Sequence, residues 1–190
     1  MAPAPLPRRL LLGPGPSNVH PRVREAMAQP LVGHLDPAFL GVLEAVQASL
    51  RRLFGTHNAM TLPLSGTGSA GMEACFVNLL EPGDTVVIGV AGVFGERMNE
   101  VAARAGARVT RVEAVPGTPL EDAAMAEAIA RVRPRAVALV HAETSTGVLQ
   151  PVEAIAAAAS ERQRWTFLVT AAPLRATGAT GSPVNIIATF

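Results

Sequence analysis

A glycine-rich segment from Leu62 to Ala74, LPLSGTGSAGMEA, is the first candidate for chemistry in this sequence. It contains Gly66-x-Gly68-x-x-Gly71, the spacing of a dinucleotide-binding loop, and it leads into a predicted helix. The N–H groups of a first helical turn lack intrahelical partners, and the helix dipole favours negative charge beside them. Three interpretations follow: the segment holds the pyrophosphate of NAD, the phosphate of another cofactor, or no ligand.

The NAD interpretation requires an acidic residue about twenty positions further on, where it would bind the ribose hydroxyls. The strand after the glycine-rich helix instead ends Ile88-Gly89-Val90-Ala91, without an acid. The apolar stretch before the loop is short and interrupted by Pro63, unlike a central parallel strand. These two features argue against NAD and leave the other phosphate as the better interpretation.

The composition excludes several classes of protein. The 190 residues are 49% hydrophobic with a net charge of +1, which is typical of a globular domain and gives no reason to expect nucleic acid or a membrane as partner. Cys75 is the only cysteine, which indicates a reducing compartment, and we expect a cytoplasmic protein. The positive residues are all Arg, so a mechanism that needs a lysine amine is closed to this chain.

Strands and helices alternate after residue 60, which predicts an α/β fold with a mostly parallel sheet flanked by helices. Ligands bind at the carboxyl ends of such strands, so the loops SGTGS, GVAGVFG and HAETSTG should converge. The pattern predicts strands at 85–88, 108–112, 136–140 and 165–169, and helices at 22–28, 37–54, 69–80, 96–105, 121–132 and 152–162.

Five segments carry a resemblance to a known family: LLGPGPSNV, GHLDPAF, SGTGSAGMEA, LEPGDTVVIGVAGVFGER and HAETSTGVLQP. In this order and spacing the chain resembles the class V aminotransferases, within them the alanine–glyoxylate and serine–glyoxylate group, from about Leu11 to Ser160. The resemblance implies the large domain of a type I pyridoxal phosphate (PLP) enzyme, truncated here, and a homodimer for the intact enzyme. It implies a reaction between a small amino acid and glyoxylate or another 2-oxo acid.

The resemblance assigns cofactor-binding roles to five residues. It implies that Thr67, Gly68 and Ser69 hold the phosphate of PLP at a helix N-terminus, which agrees with the physics of that position. Phe94 matches the aromatic ring that stacks on the pyridine; the alternative is a core residue. Thr144 matches a hydroxyl that bonds the phenolic oxygen of the cofactor; the alternative is an ordinary loop hydroxyl.

Two other sets of residues complete the site prediction. The segment of Gly13, Gly15 and Ser17 resembles the part of the family that approaches substrate; the alternative is a rigid surface arm. The four histidines lack a second ligand at metal spacing, so we expect no metal site: His20, His34, His57 and His141.

The chain departs from the family in the groups that perform the reaction. Thr170 stands where the resemblance leads us to expect an Asp that pairs with the pyridine nitrogen, and threonine cannot supply that charge. The Schiff-base lysine and the small domain with its substrate-binding Arg are missing. We expect an N-terminal arm over 1–20, a partial PLP-binding domain over 21–170 and a divergent tail without clear structure over 171–190.

The sequence therefore predicts part of a PLP-dependent aminotransferase that is inactive as this chain and binds the cofactor non-covalently at best. Two alternatives stay open: a non-catalytic module that binds PLP or dimerises, and another class V reaction, such as that of a desulfurase or lyase. The tail after Ser160 does not resemble the family, and we consider a shifted reading frame or a genuine short homologue as its origin.

Overall fold

The computed structural model describes residues 6–12, 15–160, 167–170 and 187–188, and of 159–160, 167–170 and 187–188 it gives the backbone. The chain divides into two compact units, one of Met1–Asn18 with Thr67–Phe190 and one of Val19–Gly66. The helices are α1 (Pro21–Met27), α2 (Pro37–Phe54), α3 (Gly68–Leu79), α4 (Val93–Arg104), α5 (Asp122–Val132) and α6 (Glu153–Ser160). The strands are β1 (Thr85–Val90), β2 (Arg108–Glu113), β3 (Ala136–Val140), β4 (Ala142–Glu143), β5 (Val148–Leu149), β6 (Phe167–Thr170) and β7 (Ile187–Ala188).

The larger unit is built on a five-stranded sheet of order β2-β1-β3-β6-β7. Strands β2, β1, β3 and β6 are parallel, and β7 runs antiparallel to β6. The short strands β4 and β5 form a separate antiparallel hairpin directly after β3. The predicted α/β fold with a mostly parallel sheet flanked by helices is confirmed.

Both faces of the sheet are covered, because alternate residues of β1 point to opposite sides. Val86 and Ile88 belong to a core with residues of α3 and α4, whereas Val87 belongs to a second core with residues of α5 and α6. This two-sided burial explains the continuous β-branched run from Thr85 to Ile88.

Helix α4 lies very close to the strand that precedes it. A Cβ added at Gly95 would lie 2.8 Å from Cα of Val90, so only glycine permits this approach. The connection from β1 to α4 is correspondingly tight, with Ala91 and Gly92 between them. The glycines of GVAGVFG therefore serve the packing of the helix as well as the shape of the loop.

Several elements differ from the sequence prediction, most of them by one or two residues at an end. Helix α4 begins at Val93, three positions before the predicted Glu96. Strand β1 continues through Gly89 to Val90, because these residues pair with β2. Two residues of the tail, Ile187–Ala188, pair with β6.

The smaller unit carries α1 and α2. Asp36 caps α2 as predicted: its side chain accepts a hydrogen bond from the N–H of Ala38, and Pro37 is the first helical residue. Gly55 ends the helix in the left-handed conformation, with φ of 59°. The predicted apolar stripe is present, but no residue of α2 is buried.

Candidate functional site

The N-terminus of α3 forms a polar cup from the three residues predicted to hold phosphate. Thr67 is the N-cap: its Oγ1 accepts a hydrogen bond of 3.1 Å from the N–H of Ala70, and its carbonyl accepts one from Gly71. The N–H groups of Gly68 and Ser69 precede these two, at the position where a helix offers no carbonyl to its own donors. All three predicted residues are exposed, so an anion could reach them.

A cation that the sequence analysis missed lies beside this cup. The guanidinium Nη1 of Arg97, on α4, donates a hydrogen bond of 3.3 Å to Oγ of Ser69. The sequence contains one signal that could have found it, since Arg97 follows Phe94 by three positions and lies on the same side of the helix. The cup therefore combines helix N–H groups, a hydroxyl and a positive charge.

Phe94 lies in the first turn of α4 and not in a loop as predicted. Phe94 is 39% exposed, which argues against the alternative that it is a core residue. Arg97 and Phe94 lie one turn apart on α4, so the helix carries one residue at the phosphate cup and another further toward its own N-terminus.

Glu143 is the second residue that the sequence analysis missed. It is 1% exposed, and its carboxylate Oε2 accepts hydrogen bonds from the N–H groups of Phe94 (3.2 Å) and Gly95 (3.4 Å). Its Oε1 accepts from the N–H and hydroxyl of Ser145. Nothing in the local sequence indicates these contacts, because Phe94 and Gly95 precede Glu143 by 49 and 48 positions.

Thr144 lies in the turn between β4 and β5, next to Glu143, and is exposed. Thr146, in the same turn, donates a hydrogen bond of 3.1 Å to the carbonyl of Ala91. The predicted loops thus meet: hydrogen bonds join Ser69 to α4, and they join the start of α4 to the HAETSTG turn. The individual cofactor roles of Thr67, Gly68, Ser69, Phe94 and Thr144 stay predictions.

The polar side chains of His141 and Gln150 support this turn through hydrogen bonds. His141 Nδ1 lies 2.8 Å from the carbonyl of Gln150, and the N–H of Gln150 donates to the carbonyl of His141. The side chain of Gln150, fully buried, bonds both the N–H and the carbonyl of Leu120. His141 is therefore in a structural position.

The predicted substrate segment is described in part, since Gly13 lies outside the described residues. Asn18 holds the rest of the arm in a turn: its Oδ1 accepts a hydrogen bond from the N–H of Leu11 at 2.7 Å, and its Nδ2 donates one to the backbone carbonyl of Arg9. No hydrogen bond among the described residues joins Gly15 or Ser17 to the three loops. Their substrate role stays a prediction.

Two ionisable groups near the site have shifted pKa values. Burial raises the pKa of the Cys75 thiol, which lies in the core behind the cup. The hydrogen bond that the Arg111 guanidinium donates to Glu96 raises the pKa of Arg111, and the charges of Glu96 and Glu113 act in the same direction. These ion pairs are exposed and contribute little to stability.

Within the described ranges, no three side chains of the metal-binding types lie together. In the same part of the chain, no helix is both long and apolar enough to cross a bilayer. Thr170 ends β6 beside Val140, at the carboxyl edge of the sheet where the family's Asp was expected.

Comparison with known proteins identifies the family of this site. The family model of class V aminotransferases matches residues 11–174. The chain belongs to the class V aminotransferase family. The match continues past Ser160, where the resemblance was expected to end, and includes Thr170.

Two relatives of the chain are named as aminotransferases that act with glyoxylate. The chain is similar to alanine–glyoxylate aminotransferase of Mus musculus, 42% identical over 151 residues that make up 80% of this chain and 36% of the relative. It is equally similar to (S)-ureidoglycine–glyoxylate transaminase of Bacillus subtilis, 42% identical over 149 residues, 78% of this chain and 36% of the relative.

A solved structure agrees with this likeness. Alanine–glyoxylate aminotransferase from Nostoc sp. superposes with a TM-score of 0.80 at 44% identity, covering 97% of this chain and 48% of that one. The chain thus spans between about a third and a half of the length of the relatives it matches.

Proposed function

We propose that this chain is the cofactor-binding part of a PLP-dependent aminotransferase that transfers an amino group from a small amino acid to glyoxylate or a similar 2-oxo acid. The names of the relatives support glyoxylate as the acceptor of the amino group, since the two curated relatives and the solved structure described above are named for glyoxylate. The observation that carries the proposal is the hydrogen bond of Arg97 to Ser69 at the N-terminus of α3.

The donor set of the cup fits the phosphate of PLP. A phosphate carries a charge of about −2 and accepts several hydrogen bonds. The N–H groups of Gly68 and Ser69, the hydroxyls of Thr67 and Ser69 and the guanidinium of Arg97 are all donors, and the helix dipole adds a favourable field. A neutral ligand would gain little from this arrangement.

The neighbouring groups fit the rest of the cofactor in part. Phe94 offers an exposed aromatic surface for a pyridine ring, and Thr144 offers an exposed hydroxyl for a phenolic oxygen. When bound, PLP supplies an electron sink for the bonds at the amino acid's central carbon. The residues of this chain would hold the phosphate, orient the ring and bond its hydroxyl.

The groups that would complete the reaction have no counterpart in the chain. It has no lysine to attach the cofactor or to carry a proton, and Thr170 cannot hold a proton on the pyridine nitrogen. We therefore propose that these 190 residues bind PLP non-covalently and do not catalyse transamination. A non-catalytic PLP-binding module is the second candidate, because the cup needs none of the absent groups.

We also propose that the protein forms a homodimer and is located in the cytoplasm. A homodimer is supported by the apolar surface of α2, where Val42, Val46 and Leu53 are exposed. A cytoplasmic location is supported by the buried, unpaired Cys75.

The test of the phosphate site is a binding titration of the full chain with PLP by equilibrium dialysis. Arg97→Gln removes the charge beside Ser69, so we expect the Kd for PLP to rise about tenfold, as for the loss of one charge-assisted hydrogen bond. Binding of pyridoxal, which lacks the phosphate, should change less than twofold or so by the same reasoning.

The matched control is Arg104→Gln, which removes an exposed Arg from the same helix, at its far end. It should leave both Kd values unchanged. If the parent chain binds PLP no better than pyridoxal, or if Arg97→Gln and Arg104→Gln behave alike, the phosphate site is elsewhere and the proposal is wrong.

A further inference from the structure

We propose that Glu143 is a positioning residue, which holds Phe94 and Thr144 where they meet the ring of the cofactor and takes no part in holding the phosphate. This inference rests on the proposed function for the identity of the ligand. It assigns a task to a buried carboxylate that the site prediction did not include.

Glu143 serves as the cap of a helix that has none of its own. Gly92 is the N-cap of α4 and has no side chain to bond the first N–H groups. The carboxylate of Glu143 accepts from Phe94 and Gly95 in that place, with the negative charge at the positive end of the helix dipole. Ser145 completes the cap, since its Oγ accepts from the N–H of Val93 at 3.1 Å.

The fit between helix and carboxylate is close. A Cβ added at Gly92 would lie 2.5 Å from Cγ of Glu143 and 2.5 Å from Oγ of Ser145. Glycine at position 92 therefore leaves room for the side chain of Glu143. Because Gly92 has no side chain to cap the helix, the carboxylate of Glu143 can take that place. The buried charge is stabilised because both of its oxygens accept hydrogen bonds.

The same carboxylate fixes two residues on the ring side of the site. It bonds the backbone N–H of Phe94 directly, and Thr144 is the next residue in the chain, at the start of the turn. The phosphate cup depends on other contacts, namely the cap of α3 by Thr67 and the bond between Ser69 and Arg97. Ring contacts and phosphate contacts should therefore respond separately to a change at Glu143.

The experiment uses Glu143→Gln in the full chain, since the amide has the same shape but presents N–H groups where one oxygen accepted. The first readout is hydrogen exchange of the Phe94 and Gly95 amides, which we expect to become at least about tenfold faster as their acceptor is weakened. The second readout is ligand binding: the Kd for PLP should rise about tenfold, and the Kd for inorganic phosphate should stay within about twofold.

A spectroscopic measurement distinguishes a loss of cofactor-ring orientation from a general destabilisation of the site. At saturating PLP, the induced circular dichroism of the bound cofactor reports a ring held in one orientation. We expect this signal to fall in Glu143→Gln while phosphate binding persists. A merely structural role would weaken phosphate and PLP together.

Two further variants keep the test decisive. Glu100→Gln removes an exposed carboxylate from the same helix and should leave every readout unchanged. Ser145→Ala removes one acceptor and one donor of the same network and should change the same readouts in the same direction by a smaller factor; it decides the question if Glu143→Gln does not fold.

The outcomes distinguish this inference from the proposed function. If the parent chain does not bind PLP, the proposed function fails, and the amide exchange still decides whether Glu143 fixes Phe94. If exchange at Phe94 and Gly95 is unchanged in Glu143→Gln, or if phosphate binding falls as much as PLP binding, the positioning role is wrong.

Discussion

The thiol of Cys75 is a single titratable group whose effect on stability can be isolated. It is 4% exposed in the core between α3 and the sheet, and burial raises its pKa. The chain contains neither tyrosine nor lysine, so Cys75 and the amino terminus are its only groups that ordinarily titrate between about pH 7.5 and pH 11. The alkaline behaviour of the fold therefore reports mainly on this residue.

We expect the free energy of unfolding to fall as the pH rises above about 8.5, the ordinary pKa of a thiol. The unfolded chain loses the thiol proton at a lower pH than the folded chain, so the stabilisation is complete below the unfolded pKa and is lost on approach to the folded one. Urea unfolding at a series of pH values measures this slope.

Cys75→Ala is the variant that isolates the effect. It should cost about 1 kcal/mol at neutral pH, because it leaves a small cavity. Its stability should not share the alkaline decline, so the gap between the two proteins should narrow as the pH rises. A parallel decline in both proteins would assign the slope to another group.

At the scale of elements, α2 is an amphipathic helix none of whose residues is fully buried in the described part of the chain. Its sequence has the period of an amphipathic helix, with a proper cap at each end. Val42, Val46 and Leu53 are nevertheless exposed. A face of this kind is typical of a surface that is buried in an assembly.

Val46→Glu should therefore weaken self-association of the full chain by about tenfold or more, because it places a charge in the middle of an apolar contact. Sedimentation velocity over a range of protein concentrations measures the dimer constant. Ala48→Glu adds the same charge to another, exposed side of the helix and should leave association unchanged. A parent chain that stays monomeric at high concentration would contradict the proposed homodimer.

The elements whose bounds were predicted correctly are those that the local sequence specifies. Strand β3 and helix α2 have the predicted bounds, since a β-branched or periodic run with a cap or breaker at each end specifies them locally. The start of α4 was misplaced because its cap comes from Glu143, which no local pattern reveals. The extension of β1 through Gly89 depends on its partner strand β2 in the same way.

The candidate site shows the same division. The cup at Thr67–Ser69 could be found from a glycine pattern before a helix, because the anion affinity of a helix N-terminus is a local property. Glu143 could not be found from spacing, because its contacts join elements that the fold brings together. For Arg97 the local signal was its position three residues after Phe94, and the contact with Ser69 itself again joins two separate elements. Helix α2 forms as its apolar spacing predicts, but the spacing does not reveal which surface packs against the apolar side chains.

At the scale of the whole molecule, the chain contains no lysine, the residue type to which the resemblance assigns the attachment of the cofactor. We expect the purified chain, supplied with PLP, alanine and glyoxylate, to form glycine no faster than PLP without protein, within about twofold, whereas enzymes typically reach a millionfold or more. The measurement is the rate of glycine formation, with the mouse alanine–glyoxylate aminotransferase as a positive control. Glycine formation that exceeds the protein-free rate and is lost on heating would contradict the expectation.

The contact of Glu143 with α4 also has a consequence for the order in which the molecule assembles. A ribosome completes α4 well before it adds the acid that caps it, because the two lie 48 and 49 positions apart. The first turn of the helix is therefore expected to fray until β3 and its following hairpin are in place. Loss of the acid should then accelerate unfolding and leave the folding rate nearly unchanged, since a contact made after the transition state acts on the unfolding step.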